Sequence, residues 1–396
     1  MNLNPAIVIP TFWSSLRSSA RRDVSYDYTT TIDKTGELPR CLEALSFLPN
    51  VPRIILLVVA DPSIVTQAYE KVCVIANHFK NLDTVVIGES ELAHIHRKLE
   101  QSGFGALNSC ASLQGYGSIR NLGILAASVF GHDTVIMMNE NETVCDADFL
   151  ERALHGIGSK TPNGSVVVAK TGHRVDGTGG YLLYEEVPWY RKGWNPVHSL
   201  NAHMHNVMKG SRMSLAQTAY SGCMVLHADA FGSVAFDPWI PRGEDLDYVI
   251  SARMYNVDIW CDNKLRVKNV VAPMTQDSEC FKNSMQRWFY ENRKIEFAKA
   301  QIDLMQIDPK AFMPYPGAWL TKKVGSRALM TCLKSIIGDK EHFVYWGLAT
   351  KGRKEAGELA RTNCARYFEF QQQWPQMVRA VWNSTTLIAQ ITSSRR

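Results

Sequence analysis

Three short apolar segments near the start of the chain constrain its fold more than any other feature. Residues 6–12, 53–60 and 84–87 are apolar runs, and the segments between them, 38–48 and 63–80, carry apolar residues at helical spacing. Strand, helix, strand, helix, strand in this order predicts an α/β domain with a mostly parallel sheet flanked by helices. Because ligands bind at the carboxyl ends of strands in such sheets, we expect Thr11, Phe12 and Asp61 to lie at a binding crevice.

The charge of the chain is unevenly distributed. The 396 residues have a formal net charge of +5, yet from Gln276 onward 19 Lys and Arg stand against 11 Asp and Glu. A basic C-terminal region fits an anionic substrate or a peripheral membrane contact. It contains no dense basic block and no aromatic nucleic-acid motif, so nucleic acid is not expected as a partner.

Cysteine usage and hydropathy indicate a cytoplasmic protein. The nine cysteines are odd in number and form no CxxC pair, which argues against a disulfide framework or a structural zinc site. No run approaches the roughly 18 apolar residues of a membrane span. The N-terminus lacks the basic segment that opens a signal peptide.

Residues 242–255 contain the candidates for acid/base chemistry. Glu244, Asp245 and Asp247 follow a turn that includes Pro241 and Gly243, and apolar residues at helical spacing come next. Acids in a first helical turn also complement the helix dipole, which is the structural alternative. Two adjacent acids directly after a turn, with a third two residues on, favour a catalytic role.

A second polar cluster follows the strand predicted at residues 133–138. Asn139, Glu140, Asn141 and Glu142 place four oxygen-bearing side chains at the end of this strand. Clustered carboxylate and amide oxygens are ligands for hard cations, so Mg²⁺ or Mn²⁺ could bind a diphosphate there. Arg120, at the predicted start of a helix near the crevice, could pair with a phosphate, although a solvated surface arginine is equally compatible with the local sequence.

The segment after the next predicted strand, at residues 165–169, is expected to be irregular. A glycine-rich stretch at 172–180 precedes a run of aromatic and histidine residues. Aromatic and polar groups in an irregular loop suit an acceptor pocket, and Trp189 and Tyr190 are the candidates. His203 and His205 are expected to be structural rather than metal ligands.

These segments together resemble the GT-A nucleotide-sugar glycosyltransferases, most closely those of family 2. The resemblance covers roughly residues 5–270 and rests on five elements in order. The elements are Thr11 and Phe12 after the first strand, Asp61 after the second, Arg120-Asn121 with Gly123, the cluster at 139–142, and Glu244-Asp245 with Asp247 and Arg253.

The resemblance implies a role for each matching residue. The donor would be bound by Thr11, Phe12, Asp61, Arg120, Asn121 and Asn139. The predicted acceptor-binding residues, beside the family motifs, are Trp189, Tyr190, Asp247 and Arg242. Asp245 would be the general base that deprotonates the acceptor hydroxyl, and Glu244 would support it. A divalent cation, Mg²⁺ or Mn²⁺, would stabilise the leaving diphosphate.

Two positions depart from the family pattern. The two aspartates of the family's DxD metal motif are replaced by Asn139 and Asn141, which carry no charge. Three outcomes are open: a shifted metal site that uses Glu140 or Glu142 with Asn141, a metal-independent enzyme in which Arg and Lys neutralise the diphosphate, or a domain that binds without catalysis.

The predicted organisation is a GT-A domain at residues 1–275 followed by a C-terminal α-helical extension at 276–396. The predicted activity is transfer of a sugar from a nucleotide diphosphate sugar to a hydroxyl of a glycan or small-molecule acceptor. An Asp placed as general base predicts inversion, and retention of configuration is the alternative, since some GT-A enzymes with similar motifs retain it. One alternative is a GT-A nucleotidyltransferase, although residues 13–17 lack the glycine-rich basic loop that it would need. A non-catalytic sugar-nucleotide or glycan-binding protein is the other, and the sequence sets no oligomeric state.

Overall fold

A mixed β-sheet forms the centre of the fold in the computed structural model, which describes residues 3–15, 26, 29–161, 164–269 and 277–393. Its main strands lie in the order β4-β3-β1-β5-β9-β7-β10-β6, with β2 beside β1 and β8 beside β10. The strands are β1 (Pro5–Ser14), β2 (Thr30–Thr31), β3 (Arg53–Ala60), β4 (Thr84–Ile87), β5 (Thr134–Met137), β6 (Glu142–Val144), β7 (Ala169–Val175), β8 (Met213–Leu215), β9 (Met224–His227) and β10 (Trp260–Asn269).

The first half of the sheet is parallel. Strand β1 pairs in parallel with β2, β3 and β5, and β3 pairs in parallel with β4. Strand β9 is antiparallel to β5 and β7, while β7 and β10 are again parallel. The strands predicted at 53–60 and 84–87 match β3 and β4, so this part of the fold is confirmed.

Helices cover both faces of the sheet. Val8 and Leu57 point into a hydrophobic cluster shared with α3, α4, α8, α9 and α12, whereas Ile7 and Leu56 point into a cluster shared with α1, α2 and α5. The helices are α1 (Leu38–Ser46), α2 (Val65–His78), α3 (Glu89–Gln101), α4 (Tyr116–Val129), α5 (Phe149–Leu154), α6 (Val197–Lys209), α7 (Ala228–Phe231), α8 (Glu244–Met254), α9 (Ser278–Ala298), α10 (Val324–Gly338), α11 (His342–Gly347), α12 (Arg353–Val381) and α13 (Thr385–Ser393). In the part of the chain that the structure describes, no helix has the length and apolarity needed to span a membrane.

The C-terminal helices pack into the same cluster as the sheet. Trp374 of α12 is fully buried, and its Nε1 donates to the carbonyl of Phe231 at 2.6 Å. Gln371 of the same helix accepts from the backbone N of Ala235 at 2.8 Å. The predicted domain boundary at 275/276 lies outside the described residues, as do residues 16 and 17, and the division into two domains stays a prediction.

The strand predicted at 165–169 is wrong in position. Val166 forms only an isolated bridge with Lys160, and β7 begins at Ala169 and continues through Lys170. A lysine can occupy this interior strand because its ammonium is satisfied: Nζ donates to Asp262 Oδ2 at 3.0 Å and to the carbonyl of His155 at 2.8 Å.

The segment that was expected to be irregular contains a helix. Helix α6 carries His203 on its buried side and His205 on its exposed side. The two histidines therefore do not face a common point.

Candidate active site

The carboxyl ends of β1, β3 and β5 meet at one edge of the sheet, because these three strands are parallel. Trp13 of β1 pairs with Ala60 of β3, so Asp61 directly follows the paired region. The Asp61 Oδ2 accepts from the backbone N of Ser15 at 2.8 Å, and its own backbone N donates to the carbonyl of Trp13 at 3.1 Å. Asp61 is half-buried and lies at the predicted crevice.

Thr11 and Glu140 form a buried pair beneath this edge. The Thr11 hydroxyl donates to Glu140 Oε2 at 2.5 Å, and the Phe12 backbone N donates to Glu140 Oε1 at 2.7 Å. Thr11 and Glu140 are almost completely shielded from solvent. The structure therefore contradicts two expectations. The Thr11 hydroxyl bonds to Glu140 and not to a position open to a nucleotide-sugar donor, and both carboxylate oxygens of Glu140 accept from β1 and not from a position open to a metal ion.

Burial raises the pKa of Glu140 to about 7, partly offset by the hydrogen bonds from Thr11 and Phe12. In the unfolded chain the pKa would return toward its ordinary value of 4.5. The folded protein therefore binds the Glu140 proton more tightly than the unfolded chain does. The stability associated with that proton is complete below the unfolded pKa and is lost as the pH rises through about 7.

We expect Glu140→Gln to remove this pH dependence. Relative to the parent, the free energy of unfolding of the variant should rise by about 2.5 kcal/mol between pH 5 and pH 8. Urea unfolding at the two pH values measures this change, and Glu70→Gln, on the exposed face of α2, is the matched control. Equal pH dependence in Glu140→Gln and the parent would show that Glu140 does not titrate in this range.

Asn121 is a structural residue. Its Nδ2 donates to the carbonyls of Cys110 and Phe236, both at 2.9 Å, and its Oδ1 accepts from the Phe236 backbone N at 2.9 Å. The side chain is fully buried and its hydrogen-bonding groups are used, so the structure contradicts the expected donor contact. Asn121 instead ties α4 to the segment that leads toward α8.

Arg120, one residue earlier on α4, joins the end of β5 to the start of α8. Its Nη2 donates to Asn139 Oδ1 at 2.6 Å, and its Nε lies 3.6 Å from Glu244 Oε1. The guanidinium is buried, and its Nη1 has no hydrogen-bond partner among the described residues. Because a buried donor without a partner is costly, this nitrogen marks a position where an anion would be stabilised.

Asn139 and Glu142 are bound to one another. The backbone N and the Nδ2 of Asn139 donate to the Glu142 carboxylate at 3.0 and 3.1 Å. Gly222 leaves room for this carboxylate, since a Cβ at that position would overlap it. Burial raises the pKa of Glu142, opposed by the hydrogen bonds from Asn139 and by the charges of Arg120 and Arg174.

The residues predicted to hold a cation do not form a ligand set in this arrangement. Asn139 Oδ1 accepts from Arg120, Glu140 faces β1, and Glu142 faces Asn139. Asn141 is half-buried, and its backbone carbonyl accepts from Arg40 Nη2 at 3.4 Å. Within the described ranges, no group of three His, Cys, Asp or Glu side chains is placed to bind a metal ion. We therefore assign no chemical step to a metal.

Asp245 lies at the first turn of α8, next to Glu244, whose carboxylate approaches Arg120. Gly243 before it has a φ of 77°, and the guanidinium of Arg287 from α9 packs where a side chain on Gly243 would stand. Asp245 is half-buried, and its Oδ1 accepts from the Leu246 backbone N at 2.7 Å. Burial raises the pKa of Tyr220 to about 12, and the nearby Asp245 charge contributes.

Asp247 is part of the core. Its carboxylate accepts from Lys294 Nζ at 2.7 and 2.9 Å and from the Ser251 hydroxyl at 3.3 Å, and the side chain has no exposed surface. The structure contradicts the expectation that Asp247 contacts an acceptor, because this face of α8 is turned toward α9. Arg242 is half-buried in the turn before α8, and its acceptor role stays a prediction.

Trp189 and Tyr190 pack against the C-terminal end of α10. Both pack against Gly338 at the end of α10, where a side chain would clash with their rings. Trp189 is largely exposed and Tyr190 is half-buried. No contact found in the described part of the chain links them to Asp245 or Glu244, so their acceptor role also stays a prediction.

Sequence reasoning missed two arginines of the site. Arg174 lies on β7 with its Cζ 5.8 Å from the ring of Tyr220, and Arg287 lies on α9 against Gly243. Arg174 falls in the glycine-rich stretch that was expected to be a loop. Arg287 belongs to a helix whose position over α8 depends on tertiary packing, so no local signal could have identified it.

Comparisons with known proteins give distant structural similarities. No protein-family model and no curated protein sequence matches this chain. A mannosyltransferase from Pyrobaculum calidifontis in complex with GDP-Man and Mn²⁺ is 10% identical over 100% of this chain and 88% of that chain, with a TM-score of 0.47. GalNAc-T7 with UDP, GalNAc and Mn²⁺ is 13% identical over 78% and 53% of the two chains, with a TM-score of 0.43.

A glucosyl-3-phosphoglycerate synthase from Mycobacterium tuberculosis, in complex with Mn²⁺, UDP and phosphoglyceric acid, is also similar. It is 13% identical over 73% of this chain and 77% of that chain, with a TM-score of 0.40. Each of these complexes contains a nucleotide or nucleotide sugar together with Mn²⁺. Because every TM-score is below 0.5, the activity of this chain has to be argued from its own residues.

Proposed function

We propose that this chain transfers a sugar from a nucleotide diphosphate sugar to an acceptor hydroxyl. The observation that carries the proposal is the buried guanidinium of Arg120, which lies between Asn139 at the end of β5 and Glu244 at the start of α8. Its unpartnered Nη1 is at the sheet edge where parallel α/β sheets bind ligands. A diphosphate oxygen would satisfy that nitrogen with a charge-assisted hydrogen bond.

Arg174 and Arg287 would add positive charge around the same crevice. Departure of a nucleoside diphosphate leaves negative charge on its terminal phosphate, and fixed cations lower the energy of that charge in the transition state. Asn139 and Asn141 stand where the family has its metal-binding aspartates, which left a metal-independent enzyme as one alternative. Three arginines around the diphosphate are compatible with that alternative. A divalent cation, if one binds, would supply further charge neutralisation to the leaving group.

Asp245 is the proposed general base. As the acceptor oxygen attacks the anomeric carbon, its proton passes to the Asp245 carboxylate, and the bond from the anomeric carbon to the diphosphate oxygen breaks. A single displacement of this kind inverts the configuration at the anomeric carbon. Glu244 lies beside Arg120, and we assign it the role of orienting that guanidinium rather than of accepting the proton.

Ligand-dependent thermal stability tests the donor site. We expect one of UDP, GDP, UDP-glucose and GDP-mannose to raise the melting temperature, since a ligand present at 100 times its Kd stabilises the folded state by about 2.7 kcal/mol. Arg174→Gln should weaken the binding of that nucleotide about tenfold, because a charge-assisted contact is lost. Arg97→Gln, an exposed change on α3, should leave binding unchanged.

The same titration is repeated with and without Mn²⁺. A larger shift with Mn²⁺ would favour a metal site near the 139–142 cluster, and an unchanged shift would favour the arginines alone. Donor hydrolysis or transfer with release of the nucleoside diphosphate then distinguishes an enzyme from a binding protein. The absence of a shift with every nucleotide would contradict the proposed donor site.

A further inference from the structure

Helix α10 presents an uncovered apolar stripe. Val324, Ala328 and Cys332 are buried against the rest of the protein. On the opposite side, Met330, Leu333 and Ile337 are 56%, 44% and 81% exposed. Their spacing of three and four residues places them on one face of the helix. This helix therefore has two apolar faces, and only one of them packs in the core.

Elements that contact α10 also expose large apolar side chains. In α11, which packs beside α10, Phe343 and Trp346 are 82% and 62% exposed. Trp189 packs at the end of α10 against Gly338 and is also exposed. We call these side chains the α10–α11 patch: Met330, Leu333, Ile337, Phe343, Trp346 and Trp189. Exposed groups of large apolar side chains on this scale mark interaction surfaces.

Basic residues border the patch. Lys323, directly before α10, and Arg327 and Lys334 of α10 line a groove of about 460 Å³ with Met330 and Tyr190. Lys340 is exposed in the turn between α10 and α11. Among the described residues, no carboxylate lies within ion-pair distance of Lys323, Lys334 or Lys340.

The nearby acids are engaged elsewhere. Asp339 lies 3.4 Å from Arg191 Nη2, and Glu341 Oε2 accepts from the Ser278 backbone N at 3.1 Å. Glu341 keeps its negative charge, and Asp339 is paired with Arg191. The four basic side chains Lys323, Arg327, Lys334 and Lys340 outnumber the Glu341 carboxylate, so the surface next to the patch has a net positive charge. A partner that covers the patch must combine apolar contact with negative charge beside it.

We propose that the α10–α11 patch binds the surface of a bilayer that contains anionic lipids. Amphipathic helices with Phe, Trp and aliphatic residues on one face and lysines beside them lie in the headgroup region, with the apolar face toward the acyl chains. Trp346 and Trp189 suit the interface, where aromatic rings concentrate. The lysines would contact the phosphates of acidic headgroups. This proposal does not depend on the proposed glycosyl transfer.

Vesicle co-sedimentation of the full chain tests the proposal. We expect binding to vesicles of phosphatidylcholine with 30% phosphatidylglycerol, weaker binding to pure phosphatidylcholine, and a loss of binding as salt is raised. Phe343→Ser should reduce partitioning about tenfold because an inserted ring is removed. Phe47→Ser is the matched control, since Phe47 is equally exposed but follows α1 in the N-terminal half.

Charge variants separate electrostatic attraction from apolar contact. Lys334→Ala should lower partitioning into anionic vesicles about fivefold, and Lys80→Ala, at the end of α2, should have no effect. Sedimentation velocity of the same samples tests whether a second copy of the chain, instead of a bilayer, covers the patch. Two results would overturn the proposal: failure to bind anionic vesicles, or a parent dimer that Phe343→Ser converts to monomer, which would show that a second copy of the chain covers the patch.

Discussion

Asp245→Asn is expected to lower kcat by a factor of about 10² to 10⁴ while leaving donor binding intact. The carboxylate is half-buried at the start of α8 and is the acid left available at the crevice, since Glu244 lies beside Arg120 and Asp247 is bound to Lys294. Asparagine keeps an oxygen that can accept from the Leu246 backbone N, as Asp245 Oδ1 does at 2.7 Å. It cannot take a proton at neutral pH, so only the base function is removed.

The measurement is release of nucleoside diphosphate from the donor that the thermal-shift experiment identifies. Asp303→Asn, an exposed change after α9, is the matched control and should keep parental activity. The melting temperature with and without nucleotide should be the same for Asp245→Asn and the parent. A kcat within about fivefold of the parent would assign the proton transfer to another group, because loss of a general base costs more than that.

The first half of the sheet was predictable because its strands are buried on both faces. Such strands are continuous apolar runs, so β3 and β4 were found with their observed limits. Strand β7 was misplaced because it contains Lys170 and His173, which are buried among partners supplied by other elements. From sequence alone, a lysine or histidine is interpreted as exposed, and a buried strand is not predicted where one occurs unless its partners are known.

The same reason explains which predictions of site residues are wrong: a buried polar side chain depends on partners from other elements. Asn121, Thr11 and Asp247 were assigned to ligands because they stand in the motifs that resemble the family, and Thr11 also because it lies near the end of a predicted strand. In the structure each is satisfied by another part of the protein: Asn121 by Phe236, Thr11 by Glu140 and Asp247 by Lys294. Periodicity places such side chains near an edge but does not give the partner, which lies up to 129 residues away.

The assignments to Asp245, Glu244 and Arg120 depend on element ends, which sequence signals locate well. The turn at Gly243 predicts a helix that begins near Glu244, and α8 begins there. The proximity of Arg120 to Glu244 could not be derived, since it requires α4 and α8 to meet across the sheet edge. Their roles in catalysis and donor binding stay predictions until the variants are measured.

Lys294 is the residue whose loss should most reduce stability. Its Nζ lies 2.9 Å from Asp237 Oδ2 and 2.7 Å from Asp247 Oδ1, and all three side chains have no exposed surface. Tyr290 also donates to Asp237 Oδ2 at 2.9 Å, and the ammonium lies 3.5 Å from the centre of the Tyr367 ring. Burial, followed by the charge of Asp247, holds the pKa of the neighbouring Glu291 well above its ordinary value.

Lys294→Met is therefore expected to lower the free energy of unfolding by about 4 kcal/mol at neutral pH, because it leaves two buried carboxylates without their cation. Urea unfolding measures the change. Lys322→Met is the matched control: Lys322 pairs with Glu296 at 3.3 Å but its side chain is 89% exposed, so its loss should cost less than about 1 kcal/mol. Adding Asp247→Asn to Lys294→Met should restore part of the stability.

The loss of unfolding free energy caused by Lys294→Met should also depend on pH. Burial raises the pKa of Asp247 to about 6, opposed by the charge of Lys294. Without the ammonium this pKa rises further in the folded state, so the folded protein takes up a proton as the pH falls and the loss of stability shrinks toward pH 5. A loss below about 1 kcal/mol at neutral pH would mean that the buried pair contributes little. Since Asp247 lies two residues after Asp245, the Lys294 contact also fixes the helix that presents the proposed base. In the proposed mechanism α9 would therefore support the catalytic site, because its Lys294 supplies the cation that pairs with Asp247 in the first turns of α8.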